Sequence, residues 1–495
     1  MGWQQHPDSN SLNNTRQKRT QSMHNKKMNM NRWGFIIFSS SVLLFGTADA
    51  QQKYKLSVNQ AAELAIKNVT EIKNLQIDRE LQLAKNKEYI AQTMPQVSGS
   101  VQSQHFFKIP VTLLPDFVSP SVYKVLTDNG VRNGAGSPIS KPNNPPQYFP
   151  AQFGVPWQSS AGLQFQQLLF QPDLFIALKA RKKAIDFTDA NIKVMEDSIK
   201  SNVARAYYSV LIAEKRKKYL DASIKRLEKL KSDQEKLYKN GFAEHLDIDK
   251  TQVTLNNLST TSTQIEKLIE IGYASLKFSL AIDQADTLAL SDTLSVDLVK
   301  KDLLELSNFN YNDRKEIQLL NVVKDLQGLD VKRNKLAYIP TIGTYYSYSK
   351  NALGQKFNLF NFNDKWFTTS LWGINMSVPI FDAGQKAQRI KQANLNLQKT
   401  SNTIANVQRA IDLQLKASSI LFKNALSSLD MQDKNVVLAE KVYNTTKKKY
   451  EQGLGSSFEL LQTASELENA QSNYFQSLYD AINARISYNR ALGKL

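Results

Sequence analysis

The sequence predicts a mixed fold in which long α-helical hairpins continue into membrane-inserted β-strands, with the whole plan written twice along 495 residues. Three observations predict it. Two turns of one design, "EKLYKNGFAEHLDIDK" from Glu235 and "KKKYEQGLGSSFELLQ" from Lys447, share a Tyr, two polar residues, a Gly and an acidic residue six positions later. Each turn closes a helical run of 67 residues, Asp173 to Lys239 and Ala383 to Lys449, which at 1.5 Å per residue reaches about 100 Å. Finally, the segments between the helices alternate with the period of two that marks a strand with unlike faces.

The elements follow in order. Residues 1–50 form an N-terminal extension and signal peptide: Lys26, Lys27 and Arg32 precede the apolar "GFIIFSSSVLLFG" and then "ADA", the layout of an export signal cleaved after small residues. Residues 51–94 are a first helical segment, stopped at Pro95 because proline lacks the N–H and crowds the preceding turn. Residues 95–171 are a first β-hairpin. Its 113–150 stretch, rich in Pro, Gly and Asn, is expected to be a loop, placed outside the cell because membrane barrels keep their longer connections there. Residues 172–285 give a first helical hairpin, 286–311 a linker, 312–339 the helix opening the second repeat, 340–381 the second β-hairpin and 382–495 the second helical hairpin. The shorter helices, 243–282 and 312–338, together also span 67 residues, so they are expected to abut end to end beside a long one.

Patterns within the elements agree. Ile342, Thr344, Tyr346 and Tyr348 share one strand face, with Gly343, Ser347 and Ser349 opposite. Trp366, Trp372, Ile374, Met376, Val378 and Ile380 share another, with Asn375 and Ser377 opposite. An apolar face with aromatic ends is what a lipid-facing strand shows, and a half-buried strand of a soluble sandwich alternates in the same way. In the last helix Leu460, Ala464, Leu467, Gln471, Tyr474, Leu478 and Ala481 are spaced alternately by four and three, a coiled-coil seam.

Composition excludes other classes. Cysteine is absent, which removes disulfides, thiolate metal sites and a cysteine nucleophile. The net charge is +18; without residues 1–50, which hold six Lys/Arg and two Asp, it is +14. The lysines alternate with acids along helices, as in "EKRKKYLDASIKRLEKLK", a solvated helix face and no nucleic-acid footprint. His105 and His245 stand far apart, and no H-E-x-x-H, phosphate loop or nucleophile elbow occurs. An enzyme, a metal site or a bound cofactor is not expected.

No stretch beyond residue 50 has the roughly 18 consecutive apolar residues that a membrane helix needs, so membrane entry falls to the strands. Four strands cannot close a barrel, and an open edge in lipid leaves backbone groups unpaired at several kcal/mol each. Two chains would supply eight strands and three would supply twelve.

The chain resembles the TolC-like outer-membrane efflux family. The doubled layout, "VPIFDAG" (378–384), the Y-x-x-G turn before "SSFELLQTASELENAQSNYFQSLYDAINARISYNRALG" (456–493) and the opening "LSVNQAAELAIKNV" (56–69) carry the resemblance. It implies a homotrimer: a 12-stranded barrel in the lipid bilayer of the outer membrane, four strands per chain, continued by a periplasmic α-barrel. It further implies passive conduction of substrates delivered by an inner-membrane pump and a periplasmic adaptor (membrane fusion) protein, in tripartite efflux or type I secretion. By position, the family's pore-constricting acids fall on Glu459 and Gln462, the second having lost its carboxylate, and Asp247 is the first-copy equivalent of Glu459. Gly241, Phe242, Gly453, Leu454 and Gly455 are the expected adaptor-docking tips. The competing expectation is a soluble periplasmic coiled-coil adaptor without a membrane barrel.

Overall fold

The computed structural model describes residues 53–141, 143, 148–294, 309–360 and 365–494. The signal segment and residues 295–308 of the expected linker lie outside the described residues. In chain order the elements are β1 (Lys53–Leu56), α1 (Val58–Asn68), α2 (Thr70–Ala91), β2 (Gln96–His105), β3 (Val111–Pro115), α3 (Val118–Asp128), β4 (Tyr148–Gln152), β5 (Trp157–Phe170), α4 (Pro172–Lys239) and α5 (His245–Leu280). They continue with β6 (Thr287–Leu290), α6 (Lys315–Leu336), β7 (Thr341–Gly354), β8 (Trp366–Ser377), α7 (Gln385–Glu451) and α8 (Ser457–Leu492).

The second half repeats the first nearly residue for residue. α2 and α6 have 22 residues each, α4 and α7 have 68 and 67, and α5 and α8 have 36 each. Each long helix pairs with the shorter one after it: α5 lies along α4 and α8 along α7. α6 lies against both long helices, α8 also packs on α4, and α2 flanks α4.

The shorter helices come out shorter than expected. α5 and α6 together give 58 residues, not 67: α5 begins at His245, α6 ends at Leu336, and residues 281–294 and 309–314 lie outside both helices. In the first of these stretches β6 pairs in parallel with β1, a sheet the sequence reading took for part of a linker and part of a helical segment. Tyr207, completely buried on α4, pins this sheet: its hydroxyl donates to Leu56 O (2.9 Å) and accepts from the Asp292 N–H (3.2 Å). The Asp292 carboxylate in turn accepts the Val58 N–H at 2.8 Å. Around this point lies the principal apolar core, including Ala65, Leu276, Ile317, Phe422 and Leu478. The expected seam of α8 is buried at Leu460, Leu467, Gln471, Leu478 and Ala481, and Phe475 and Ile482 join it.

The four long strands form one antiparallel sheet in the order β2-β5-β7-β8. β8 ends at Ser377, so Val378 and Ile380, expected on its apolar face, lie beyond the strand. The stretch expected to be a plain loop at 113–150 is also corrected. It carries the end of β3, which pairs with β4, and the eleven-residue α3 between them. Asp116 starts this helix by accepting the N–H groups of Val118 and Ser119, a side-chain cap of the kind that satisfies a first helical turn. Among the described residues no helix is long and apolar enough to cross a membrane.

Candidate functional site

The two Gly turns have the same backbone. At the end of α4 the Gly241 N–H donates to Tyr238 O and the Phe242 N–H to Leu237 O, both at 2.9 Å. At the end of α7 the Gly453 N–H donates to Tyr450 O (3.0 Å) and the Leu454 N–H to Lys449 O (2.9 Å). This pair of bonds closes a helix when the residue just past its end is left-handed. Gly241 and Gly453 hold φ of 79° and 72°, which glycine adopts without steric cost. The residues after them, Phe242 and Leu454, are 81% and 77% exposed. In this type of helix end the residue there commonly folds back onto the helix; here both stand out into solvent.

Each turn leads into a helix with an acid at its third position, Asp247 in α5 and Glu459 in α8. The Ser456 hydroxyl caps α8 by accepting the Glu459 N–H at 3.1 Å, and a carboxylate there also meets the positive end of the helix dipole. The structure brings the two turns to one end of the helices. Gln234 of α4 donates to Ser457, and Lys250 of α5 lies 5.4 Å from the Phe458 ring centre. Burial pushes the Tyr450 phenol up, and the negative charges of Asp247 and Asp233 add to it. Asp247 is half-buried and Glu459 and Gln462 are exposed. The Gln462 amide donates to Glu466 Oε1 at 3.1 Å, so a carboxylate stands one turn beyond the position where the sequence expected one. The sequence reading did not single out Glu466, Lys250 or Phe458; the proximity of Phe458 to Lys250 depends on the approach of two helices from different repeats.

At the other end of the molecule the sheet sorts most of its side chains by face. One row across it reads Val97, Phe165, Tyr346, Trp372. The next row on the opposite face reads Ser98, Gln164, Ser347, Leu371. Followed along the paired strands, the first face carries most of the aromatic and aliphatic side chains. The second is mainly Gln, Ser, Thr and Asn, and no residue of Asp, Glu, Lys or Arg falls on it. Tyr345 and Phe367 are aromatics on this polar face; the Tyr345 ring lies over Gly373, where a Cβ would come within 2.8 Å of it. Where the strands end away from the helices, Trp157 stacks with His105 at 4.5 Å and meets Phe357 at 5.2 Å. Among the described residues no strand lies beside the outer edges of β2 and β8.

Comparison with known proteins agrees with this geometry. Residues 328–494 match the family model described as outer membrane efflux protein. The outer membrane protein TolC of Vibrio cholerae is 19% identical over 347 residues, covering 68% of this chain and 77% of the relative. The alkaline protease secretion protein AprF of Pseudomonas aeruginosa is 19% identical over 325 residues, covering 65% and 67%. The crystal structure of the outer membrane protein VceC from Vibrio cholerae shares the fold, with a TM-score of 0.62 at 13% identity over 88% of this chain and 96% of that one.

Residues 328–494 belong to the outer membrane efflux protein family, and the chain is similar to the TolC-like channels over two thirds of its length. It is an outer-membrane efflux or secretion channel and not an enzyme. The competing soluble adaptor is set aside by the same findings, since an adaptor has no use for a sheet with one face of aromatic and aliphatic side chains and two unpaired edges. Among the described residues no group of His, Asp and Glu is placed to hold a metal ion.

Proposed function

We propose that three copies of this efflux protein join β2 of one to β8 of the next. They then form a 12-stranded barrel in the outer membrane, continued by a periplasmic tunnel of helices. The observation that carries this is the four-stranded sheet, unpaired at both edges, with an apolar and an uncharged polar face. In lipid such edges must be paired, and the polar face suits a water-filled lumen. The paired turns at the far end, with Gly241, Phe242, Gly453, Leu454 and Gly455, serve as the docking tips for a periplasmic adaptor coupled to an inner-membrane pump. Substrates then pass without chemistry.

The carboxylates of Asp247 and Glu459, behind those tips, line the narrow end, with Gln462 beside them. A ring of carboxylates around a symmetry axis favours cations. The purified protein is expected to be a detergent-dependent trimer that conducts ions in a planar bilayer and prefers cations. Replacing Asp247→Asn and Glu459→Gln together is expected to lower that preference. Unchanged reversal potentials would remove both residues from the constriction, and a water-soluble monomer would overturn the channel assembly.

A further inference from the structure

α3 stands in the insertion between β2 and β5, at the sheet end farthest from the helices, where the Phe106 N–H donates to Pro156 O at 2.7 Å and closes the stem. None of its eleven residues is buried, and no other described helix or strand packs along its length. Pro120, Tyr123 and Leu126 are half-buried. Val118, Val122 and Val125 fall within about 60° of one another at 100° per residue, and they are 52%, 49% and 61% exposed. A helix this short is marginal in water without tertiary packing, and a continuous apolar strip on a surface marks a contact.

The sheet edges identify what covers it. β2 is an edge strand, so in the assembly proposed above a neighbouring copy pairs along it, and the insertion leaves β2 at its outer end. Every copy therefore carries its insertion to the same rim, and rotational symmetry sets the valine stripes in equivalent positions around one axis. We propose that the Val118, Val122 and Val125 stripes of α3 pack on one another across the outer mouth, making an apolar collar of three helices that narrows the exit. The inference rests on the three-copy reading and adds to it a contact that barrel closure does not require.

The chain has no cysteine, so a single introduced thiol can be followed without background. In the full-length protein in outer membranes, oxidation of Val122→Cys is expected to give disulfide-linked dimers, holding at most about two chains in three in a three-fold assembly. Thr127→Cys, on the opposite side of the helix, is expected to stay unlinked. Val122→Asp is expected to raise single-channel conductance. An intact trimer in which Val122→Cys does not cross-link, or in which Val122→Asp conducts like the parent, overturns the collar and leaves the barrel standing. So does quenching by brominated lipid of a bimane label on the Val122→Cys thiol, which would place the stripe in the bilayer. Absence of any trimer overturns the collar together with the assembly it rests on.

Discussion

At the scale of single residues, α5 and α8 end with the same pair of backbone bonds but with different residues in the left-handed position. α8 ends at Gly493 with φ 72°, and α5 ends at Ala281 with φ 50°. A Cβ in that conformation costs roughly 1–2 kcal/mol, part of which glycine returns as backbone entropy lost on folding. Ala281→Gly is therefore expected to stabilise the protein by about 1 kcal/mol, read as a shift in the urea midpoint. Gly493→Ala is expected to cost more than that gain, because its Cβ would also sit 2.8 Å from Asp313 O. Asp197 supplies a second test. Burial pushes its carboxyl up, with the positive charges of Lys200 and Lys315 opposing. A raised folded-state value means stability is fullest below the unfolded value, near ~4, and declines as pH rises through the folded value. Asp197→Asn is expected to melt higher than the parent at pH 7, with the difference closing as the pH approaches about 4. The glycines of the two tips were legible in the sequence, since the turn was written twice. The Asp197 environment was not, since it depends on which charges other elements bring near.

Among the elements, the strands and long helices were legible because their periods are strong. Tyr346 and Tyr348 alternate with Ser347 and Ser349, and on β5 the first two meet Phe165 and Leu163 while the second two meet Gln164 and Gly162. α3 was hidden for a physical reason. Pro115, Pro120 and Gly130 bracket or interrupt it, and three valines at helical spacing are too few to outweigh turn residues in a short window. β1 and β6 were hidden too, being four residues each, too short to show a period of their own. The two faces of the sheet make opposite predictions for neighbouring residues. Leu163, on the lipid-facing side, pairs with Gly99 and Tyr348. Leu163→Arg is expected to cost about 2–4 kcal/mol as a charge exposed to lipid, read as loss of the heat-resistant oligomer. Gln164→Arg, one residue on and facing the lumen, is expected to leave assembly intact and shift ion selectivity toward anions.

For the whole molecule, the two repeats must be held in register over helices of about 100 Å. Within the second repeat Arg314, buried at the start of α6, ties that helix to α7 and α8. Its guanidinium donates to Ala491 O at 2.9 Å, to Gln414 Oε1 and to the Glu316 carboxylate. Burial alone would raise the Glu316 carboxyl, but Arg314 holds it below its ordinary value. Arg314→Met is expected to cost about 2 kcal/mol, less than a wholly buried pair because water reaches part of Glu316. Hydrogen exchange should show the first turn of α6 and the last turn of α8 opening together. The sequence by itself determined the doubled plan, the lengths of the two long helices, the Gly turns and the two-faced strands, because each is set by local backbone chemistry or by a periodic pattern. Tertiary structure alone decided the mid-length sheet of β1 with β6, the meeting of the two tips through Gln234 and Ser457, and the unburied stripe of α3. Each of those joins residues far apart in the chain, or reports the absence of a neighbour, and no local pattern encodes either.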